Sequence, residues 1–580
     1  MLTCAHPAKG VGFTDIGVSM AAEHASAPAP TRSGGRTEFF ASRNFFILAA
    51  IGSAVGLGNI WRFPYVAFEN GGGAFILPYL VALLVAGVPL LLLDYAIGHR
   101  YRGSAPLSFA RIQRWLESVG WWQVLVCAII AIYYAVIVAW AAVYTFFSFN
   151  KAWESNPDGA GGFFYGDFVK LAGEPSFGFE FVPSVLIPHL LVWVAVCVII
   201  LAGVKRGIAR ANMVFLPLLV LMFVALVVQA LLLPGAADGL NALFTPDWTA
   251  LATPSVWAAA VGQIFFSLSV GFGIMVTYAS YLKRRSDLSG SGMVVAFANS
   301  GFEILAGVGV FAALGFMAQA QGAAVGDVAT SGLGLAFEAF PTIISEAPMG
   351  EVIGVLFFGS LLFAGLTSLI SIVEVVVAGV RDKLNLSRRN ATFAVVVPLA
   401  VVSTLLFPTK TGVYVLDIFD EFVNKYGILA GALVAVIGVA WIARKAPALS
   451  QHISRVSSIR AGGWWLVSVL AIVPLVLTYI LVNDFISKLG EPYGGYPQWM
   501  LLTFGWGMAA ALVVLGIVLA ALPWNKNVAI TVEEANLNSE IDAAFAGDMD
   551  EDDLDHDGFA DDRVKPDMSR VSASEAAKEA

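Results

Sequence analysis

Apolar runs of around 20 residues recur along this chain from about residue 44 to residue 523. A helix of that length matches about 30 Å of hydrocarbon. Inside a bilayer every backbone N–H and C=O must find an internal partner, so each run is read as a helix. Twelve spans are expected, at 44–66, 74–99, 121–148, 184–203, 211–233, 255–281, 291–317, 350–379, 391–407, 413–442, 463–487 and 498–523. The run at 413–442 is the least regular, because it holds Asp417, Asp420, Glu421 and Lys425. Composition agrees: 58% of residues are hydrophobic and 13% charged, against roughly a quarter charged in soluble domains.

Basic residues orient the spans. One set of alternate loops carries Arg100, Arg102, Arg111 and Arg114, then Lys205, Arg206 and Arg210, then Lys283, Arg284 and Arg285. The same set continues with Arg381, Lys383, Arg388 and Arg389, and with Arg444, Lys445, Arg455 and Arg460. The opposite loops hold Lys151, Lys170, Lys410 and Lys488. The positive-inside bias therefore predicts both termini on the cytoplasmic side.

The segments outside the spans are polar. Residues 1–35 lack the apolar core of a signal peptide, and Met20 is an alternative start. Residues 524–580 are acidic and read as a disordered tail. Within that tail Asp553, Asp555, Asp557 and Gly558 match half of a calcium loop, but Val564 stands where the bidentate Glu belongs. Cys4, Cys127 and Cys197 form no disulfide framework. His99 and His189 lie singly near span ends, no phosphate-binding loop is present, and no clustered acid–base set suggests an enzyme.

Two spans carry glycine where a helix should be continuous. The first reads Gly52-Ser53-Ala54-Val55-Gly56-Leu57-Gly58-Asn59 and the second Ser267-Leu268-Ser269-Val270-Gly271-Phe272-Gly273. Each interior glycine costs about 1 kcal/mol relative to alanine. Paired interruptions in two halves of a membrane protein point to a midplane binding site, where unwound carbonyls face a cation and half-helix N-termini face a carboxylate. Close packing through small residues is the competing reading. The polar flanks Ser53, Asn59, Ser267 and Ser269 favour a site.

These segments resemble the neurotransmitter:sodium symporter family over about residues 36–520. The resemblance is carried by Ala54 to Pro64 (AVGLGNIWRFP), Glu69 to Phe75 (ENGGGAF), Tyr133-Tyr134, Gly262 to Ser269 (GQIFFSLS) and Ala364 to Ser368 (AGLTS). It implies an all-α membrane protein with two five-helix inverted repeats, 36–233 and 234–442. Spans one and six would be broken, and two further helices would occupy 443–523.

By the same resemblance, two sodium ions would be bound. One would meet the carbonyls of Gly52, Val55 and Ala364 with the hydroxyls of Thr367 and Ser368. The other would meet the Ala54 carbonyl, Asn59, Asn299 and Ser267, the last standing where relatives often have threonine. Oxygen-only donors suit a hard cation, and the substrate carboxylate would complete the second site. Gly56 stands where carriers of amines without a carboxylate tend to have aspartate. The substrate pocket maps to Ala54, Gly56, Gly58, Ile130, Tyr134, Phe266, Ser267, Ser269, Phe272, Ser368, Ser371 and Ile372. Tyr134 would hold the carboxylate and Ser269 the amine.

Gates are implied as well. Arg62 would pair through water with Asp420 at the outer gate, with Tyr134 and Phe266 closing below it and Gln263 helping to hold the arginine. Arg36, Tyr281 and Asp382 match the inner gate, and Phe40 stands where relatives usually have tryptophan. Glu303 occupies the position of a serine in chloride-dependent relatives and would supply the negative charge itself. Glu374 is expected to be structural. The implied function is sodium-coupled import of a neutral, hydrophobic amino acid through a bacterial inner membrane, with no nucleic-acid partner. A substrate-sensing transceptor or a carrier of a betaine-like osmolyte on the same scaffold are the alternatives.

Overall fold

A computed structural model describes residues 39–329 and 332–538. Arg36, both polar tails and the half calcium loop lie outside the described residues. Regular structure among the described residues is helical, apart from the isolated bridges Gly72–Pro246 and Phe181–Thr409.

The first span is bent. Helix α1 (Arg43–Ala54) and helix α2 (Leu57–Glu69) meet at 53°. Between them Val55 (ψ 98°) and Gly56 (φ −130°, ψ −166°) are extended. There follow α3 (Gly73–Tyr101), α4 (Arg114–Phe147), α5 (Pro183–Leu201) and α6 (Val204–Leu231). The sixth expected span is two short helices, α7 (Pro254–Ser267) and α8 (Ile274–Ser280), separated by Leu268–Gly273. Then come α9 (Leu288–Gln321), α10 (Gly350–Leu384), α11 (Arg388–Leu406) and α12 (Gly412–Ile442). A short helix α13 (Ala446–Val456) leads to α14 (Gly463–Gly495) and α15 (Gln498–Ala521).

Among the described residues, ten single helices and the bent α1–α2 pair are long and apolar enough to cross a bilayer. The expected span 255–281 is represented by α7 and α8, each too short to cross alone. Burial sorts the helices. In α4 and α10, 83% of the most apolar window is buried, against 33% in α5 and α6. Helices α4 and α10 therefore form the centre and pack on each other. By contrast, α5 presents Leu191, Val194 and Val198, and α6 presents Leu221 and Val228, to the hydrocarbon side. Apolar residues on those faces have no reason to turn inward, because lipid tails are as apolar as leucine.

The second break is built from backbone conformations that favour glycine. Gly271 (φ 82°) and Gly273 (φ 85°) are left-handed, and Ser269 (φ 54°) adopts the same region as a non-glycine residue. Such a conformation costs roughly 1–3 kcal/mol outside glycine and persists only where its surroundings hold it. Ser269 is held by its own side chain, which donates to the Ser53 carbonyl across the break in span one at 3.0 Å.

Candidate functional site

The two breaks meet at one point. The Ser53 carbonyl accepts from Ser269 Oγ at 3.0 Å and from Ser368 Oγ of α10 at 3.3 Å. Around this junction lies a cavity of about 170 Å³, close to the roughly 150 Å³ that admits a benzene ring in an engineered apolar core. Its lining includes Ala54, Gly56, Gly58, Ile130, Tyr134, Phe266, Ser267, Ser269, Phe272, Ser368 and Ile372. Ser371 is buried behind that wall, donating to the Thr367 carbonyl at 2.9 Å and accepting from Tyr278.

Glycine is required at two lining positions. A Cβ on Gly56 would lie 3.0 Å from Ser368 Oγ and 3.2 Å from Tyr134 Oη, filling the polar end of the cavity. A Cβ on Gly58 would lie 2.1 Å from Phe266 Cε1. The start of α2 turns amides toward this space: the Leu57 N–H donates to Tyr134 Oη at 3.3 Å. Free N–H groups and the positive dipole end of a helix favour an anionic group here.

A chain of amides lies beside the cavity. Asn59 Oδ1 accepts the Gly56 N–H at 2.9 Å, Asn59 Nδ2 donates to Asn299 Oδ1 at 2.8 Å, and Asn299 Nδ2 donates to Ser267 Oγ at 3.0 Å. Each amide orientation is therefore fixed. Each Oδ1 keeps a second lone pair for a cation, since a carbonyl oxygen carries two. Of the other expected oxygen cluster, Ala364, Thr367 and Gly52 lie near one another. Thr367 is fully buried, and its Oγ1 donates to the carbonyls of Phe363 and Ala364 at 3.1 and 3.0 Å. Gly52 is close by: a Cβ placed there would be 3.4 Å from Thr367 Cβ. Val55 ends α1, its amide bonded to Ile51 at 2.7 Å.

Arg62 lies one helical turn and a half beyond Leu57. Its guanidinium sits over the Phe266 ring, 4.9 Å from the centroid. Arg62 and Phe266 also line a vestibule of about 480 Å³ with Gln263, Lys425 and Asp484. The two side chains thus form the wall between cavity and vestibule. Asp420 faces the cavity too, but its carboxylate accepts from Tyr133 Oη at 2.7 Å and makes no direct ion pair with Arg62 among the described residues.

Two expected contacts are different. Gln263 does not hold Arg62; its Nε2 donates to Glu303 Oε1 at 2.6 Å. Glu303 is fully buried, and a buried carboxyl group demands hydrogen-bond partners more strongly than a guanidinium resting on an aromatic face. Tyr79 supplies the second contact to Glu303 and lies 2.9 Å from Ser300 Oγ. Ser269, expected to face an amine, donates instead to the Ser53 carbonyl.

Just past α8, Tyr281 donates to Glu374 at 2.9 Å, and Glu374 also takes two N–H groups of Arg388 at 2.8 and 2.7 Å. Glu374 thus ties Tyr281 to Arg388 at the start of α11. Asp382 accepts the Ser104 N–H at 2.7 Å. Phe40 is buried against Tyr278 and Tyr281, with ring centroids 5.6 and 6.1 Å away, and its N–H bonds the Tyr281 carbonyl at 3.1 Å. Phe40 therefore packs closely on both tyrosine rings.

Sequence reasoning missed Asp94. This buried carboxylate in α3 accepts the Gly271 N–H at 3.1 Å and so fixes the second break from behind. The signal was present: an acid closing the run Leu90–Leu93 is costly in a membrane and marks a functional contact.

Comparisons with known proteins converge. The sequence profile of the sodium:neurotransmitter symporter family matches residues 36–160 and 150–526. An uncharacterised sodium-dependent transporter of Methanocaldococcus jannaschii is 40% identical over 466 residues, covering 79% of this chain and 92% of that protein. The sodium-dependent dopamine transporter of Bos taurus is 32% identical over 519 residues, covering 83% of this chain and 74% of that protein. The crystal structure of MhsT in complex with L-phenylalanine matches with a TM-score of 0.66 at 34% identity, covering 77% of this chain and all of that chain.

Proposed function

The chain belongs to the sodium:neurotransmitter symporter family, and from that premise we propose that it imports a neutral, hydrophobic amino acid with two sodium ions by alternating access. It is an integral membrane, sodium-dependent secondary transporter and not an enzyme. The proposal concerns the substrate, the number of ions and the residues that hold them.

The cavity at the junction of the two breaks carries the reading. Its apolar side, with Ile130, Phe272 and Ile372, offers a compartment for an uncharged side chain. Its polar end offers the α2 N-terminus, Tyr134 Oη and the amide chain through Asn59. A zwitterion fits this polarity, with its carboxylate at Tyr134 and Leu57 and completing the ion site of Ala54, Asn59, Ser267 and Asn299. The second ion is assigned to Gly52, Val55, Ala364, Thr367 and Ser368. The space left by Gly56 favours an amino acid over an amine, although one relative is a dopamine transporter. L-phenylalanine in the similar MhsT structure supports a hydrophobic side chain.

Arg62 with Phe266 and Asp420 forms the outer gate in this reading. Tyr281, Asp382 and Arg36 form the inner one. Residues 36–233 and 234–442 make the inverted repeats, with both termini cytoplasmic and the chain in a bacterial inner membrane. Glu303 replaces chloride as the fixed anion. A zwitterion carries no net charge, so voltage acts on the sodium ions. At about 2.3 kcal/mol per charge per 100 mV, two ions supply about 4.6 kcal/mol, or roughly three decades of accumulation.

The test is uptake into proteoliposomes under an inward sodium gradient, with phenylalanine, leucine, lysine, glutamate, betaine and dopamine as competitors. Sodium-driven uptake competed by phenylalanine and leucine is expected. Preference for lysine, glutamate or dopamine overturns the pocket assignment. Saturable binding without uptake favours a sensor.

A further inference from the structure

One buried polar atom beside the breaks has no partner and no role in the scheme above. Asn212 of α6 is fully buried. Its Nδ2 donates to the Ile208 carbonyl at 2.9 Å. A carbonyl only accepts, so this bond fixes the amide orientation and directs Oδ1 the other way. Asn212 Oδ1 has no hydrogen-bond partner. Buried acceptors are rarely left bare, because removing them from water costs free energy that a partner must offset.

The direction of Oδ1 is informative. A Cβ built on Gly52 would lie 2.0 Å from Asn212 Oδ1 and 3.4 Å from Thr367 Cβ. The bare oxygen therefore abuts the Gly52 Cα, on the side shared with Thr367. Gly52 and Thr367 supply two of the five oxygens assigned above to one sodium ion. Helices α1, α6 and α10 pack pairwise around this point. In the orientation read from the basic loops, α1 and α6 both enter from the cytoplasmic side, at Arg43 and Val204. Asn212 is eight residues along α6, about 12 Å, and Gly52 nine along α1, about 13 Å. The two stand at matching depth where the three helices meet. Packing against a glycine Cα calls for no amide, and leucine would fill the same space. An amide oxygen is a good ligand for a hard cation.

We propose that Asn212 is a further sodium ligand, adjoining the Gly52–Thr367 oxygens from the cytoplasmic side and receiving the ion as it leaves for the cytoplasm. This rests on the sodium-coupled reading. Glycine at 52 then has a reason beyond its freed carbonyl, since any side chain there would displace the amide.

The test is equilibrium binding of radioactive sodium to the purified full-length protein, for the wild type, Asn212→Asp and Asn212→Leu. A negative charge at Oδ1 should lower the sodium half-saturation at least tenfold and slow uptake at saturating amino acid. Leucine, similar in size and without an oxygen, should raise the half-saturation at least threefold. These opposite signs distinguish a ligand from a packing residue or the anchor of a buried water. The assignment is overturned if sodium affinity stays within twofold in Asn212→Asp, or if both variants shift it the same way. Should Asn212→Leu fail to fold, the sign of the Asn212→Asp shift decides. Sodium binding is read directly, so these shifts without sodium-driven uptake would reject the amino-acid reading and leave Asn212 as a ligand. A wild type that binds no sodium overturns both.

Discussion

Gly58→Ala tests the proposed outer wall of the substrate cavity at its tightest point. The new Cβ would stand 2.1, 2.7 and 3.2 Å from Cε1, Cδ1 and Cζ of Phe266. Carbon atoms rest at about 3.5–4.0 Å, so the ring must retreat by roughly 1.5 Å. It cannot do so without loss. Arg62 lies 4.9 Å over its face, and the cavity it would enter measures only about 170 Å³. Overpacking of this kind costs about 1–3 kcal/mol, and a displaced ring also forfeits some of a cation–π contact worth about 0.5–2 kcal/mol. If the overpacking term falls on the substrate-bound form, affinity weakens about 5- to 150-fold, at 1.36 kcal/mol per decade. The assay is equilibrium binding of labelled phenylalanine at saturating sodium, with thermal stability measured alongside. The double variant Gly58→Ala/Phe266→Leu removes the ring atoms that collide. It should recover at least half of the logarithmic loss, giving a coupling energy of about 0.5–3 kcal/mol. Binding and stability of Gly58→Ala within twofold and 1 °C of wild type would refute the reasoning.

Three further outcomes are expected. Ser267→Thr should keep sodium-driven uptake because the hydroxyl that Asn299 Nδ2 contacts is retained, whereas Ser267→Ala should raise the sodium half-saturation several-fold. Replacing chloride by gluconate should leave wild-type uptake unchanged, and Glu303→Ser should make it chloride-dependent; a large wild-type loss counts against Glu303 as the fixed anion. Outside the membrane, burial alone would push the Asp287 carboxyl up, but hydrogen bonds from Gly290 and Ser458 and the nearby Arg43 outweigh it and hold the group below the usual aspartate range. A depressed folded value gives stability that is complete above the ordinary value of about 3.9 and lost as pH falls through the depressed one. Thermal stability followed from pH 6 to pH 3 should therefore fall more steeply in wild type than in Asp287→Asn.

The contacts that define the site differ in how far apart their partners lie along the chain. Gly56 and Asn59 are three residues apart, and the glycine-rich pattern around them announces a break whatever surrounds it. Tyr133 reaches Asp420 across 287 residues, and Asp94 reaches Gly271 across 177. Nothing in either local segment specifies such a partner. Gln263 shows the consequence: its amide goes to Glu303, because that buried carboxyl group outcompetes Arg62, which has an aromatic face to rest on.

The sequence by itself determined the apolar helices and the two interruptions, and its resemblance to the family pointed to the residues around the cavity. Bilayer thickness and backbone hydrogen bonding act on each segment locally, and glycine marks where they are relaxed. Only the tertiary structure decided which donor meets which acceptor: Ser269 on Ser53, Tyr79 and Gln263 on Glu303, and Asn212 left bare against Gly52. Those choices depend on competition among buried polar groups for a few partners, and that competition exists only once the helices are packed.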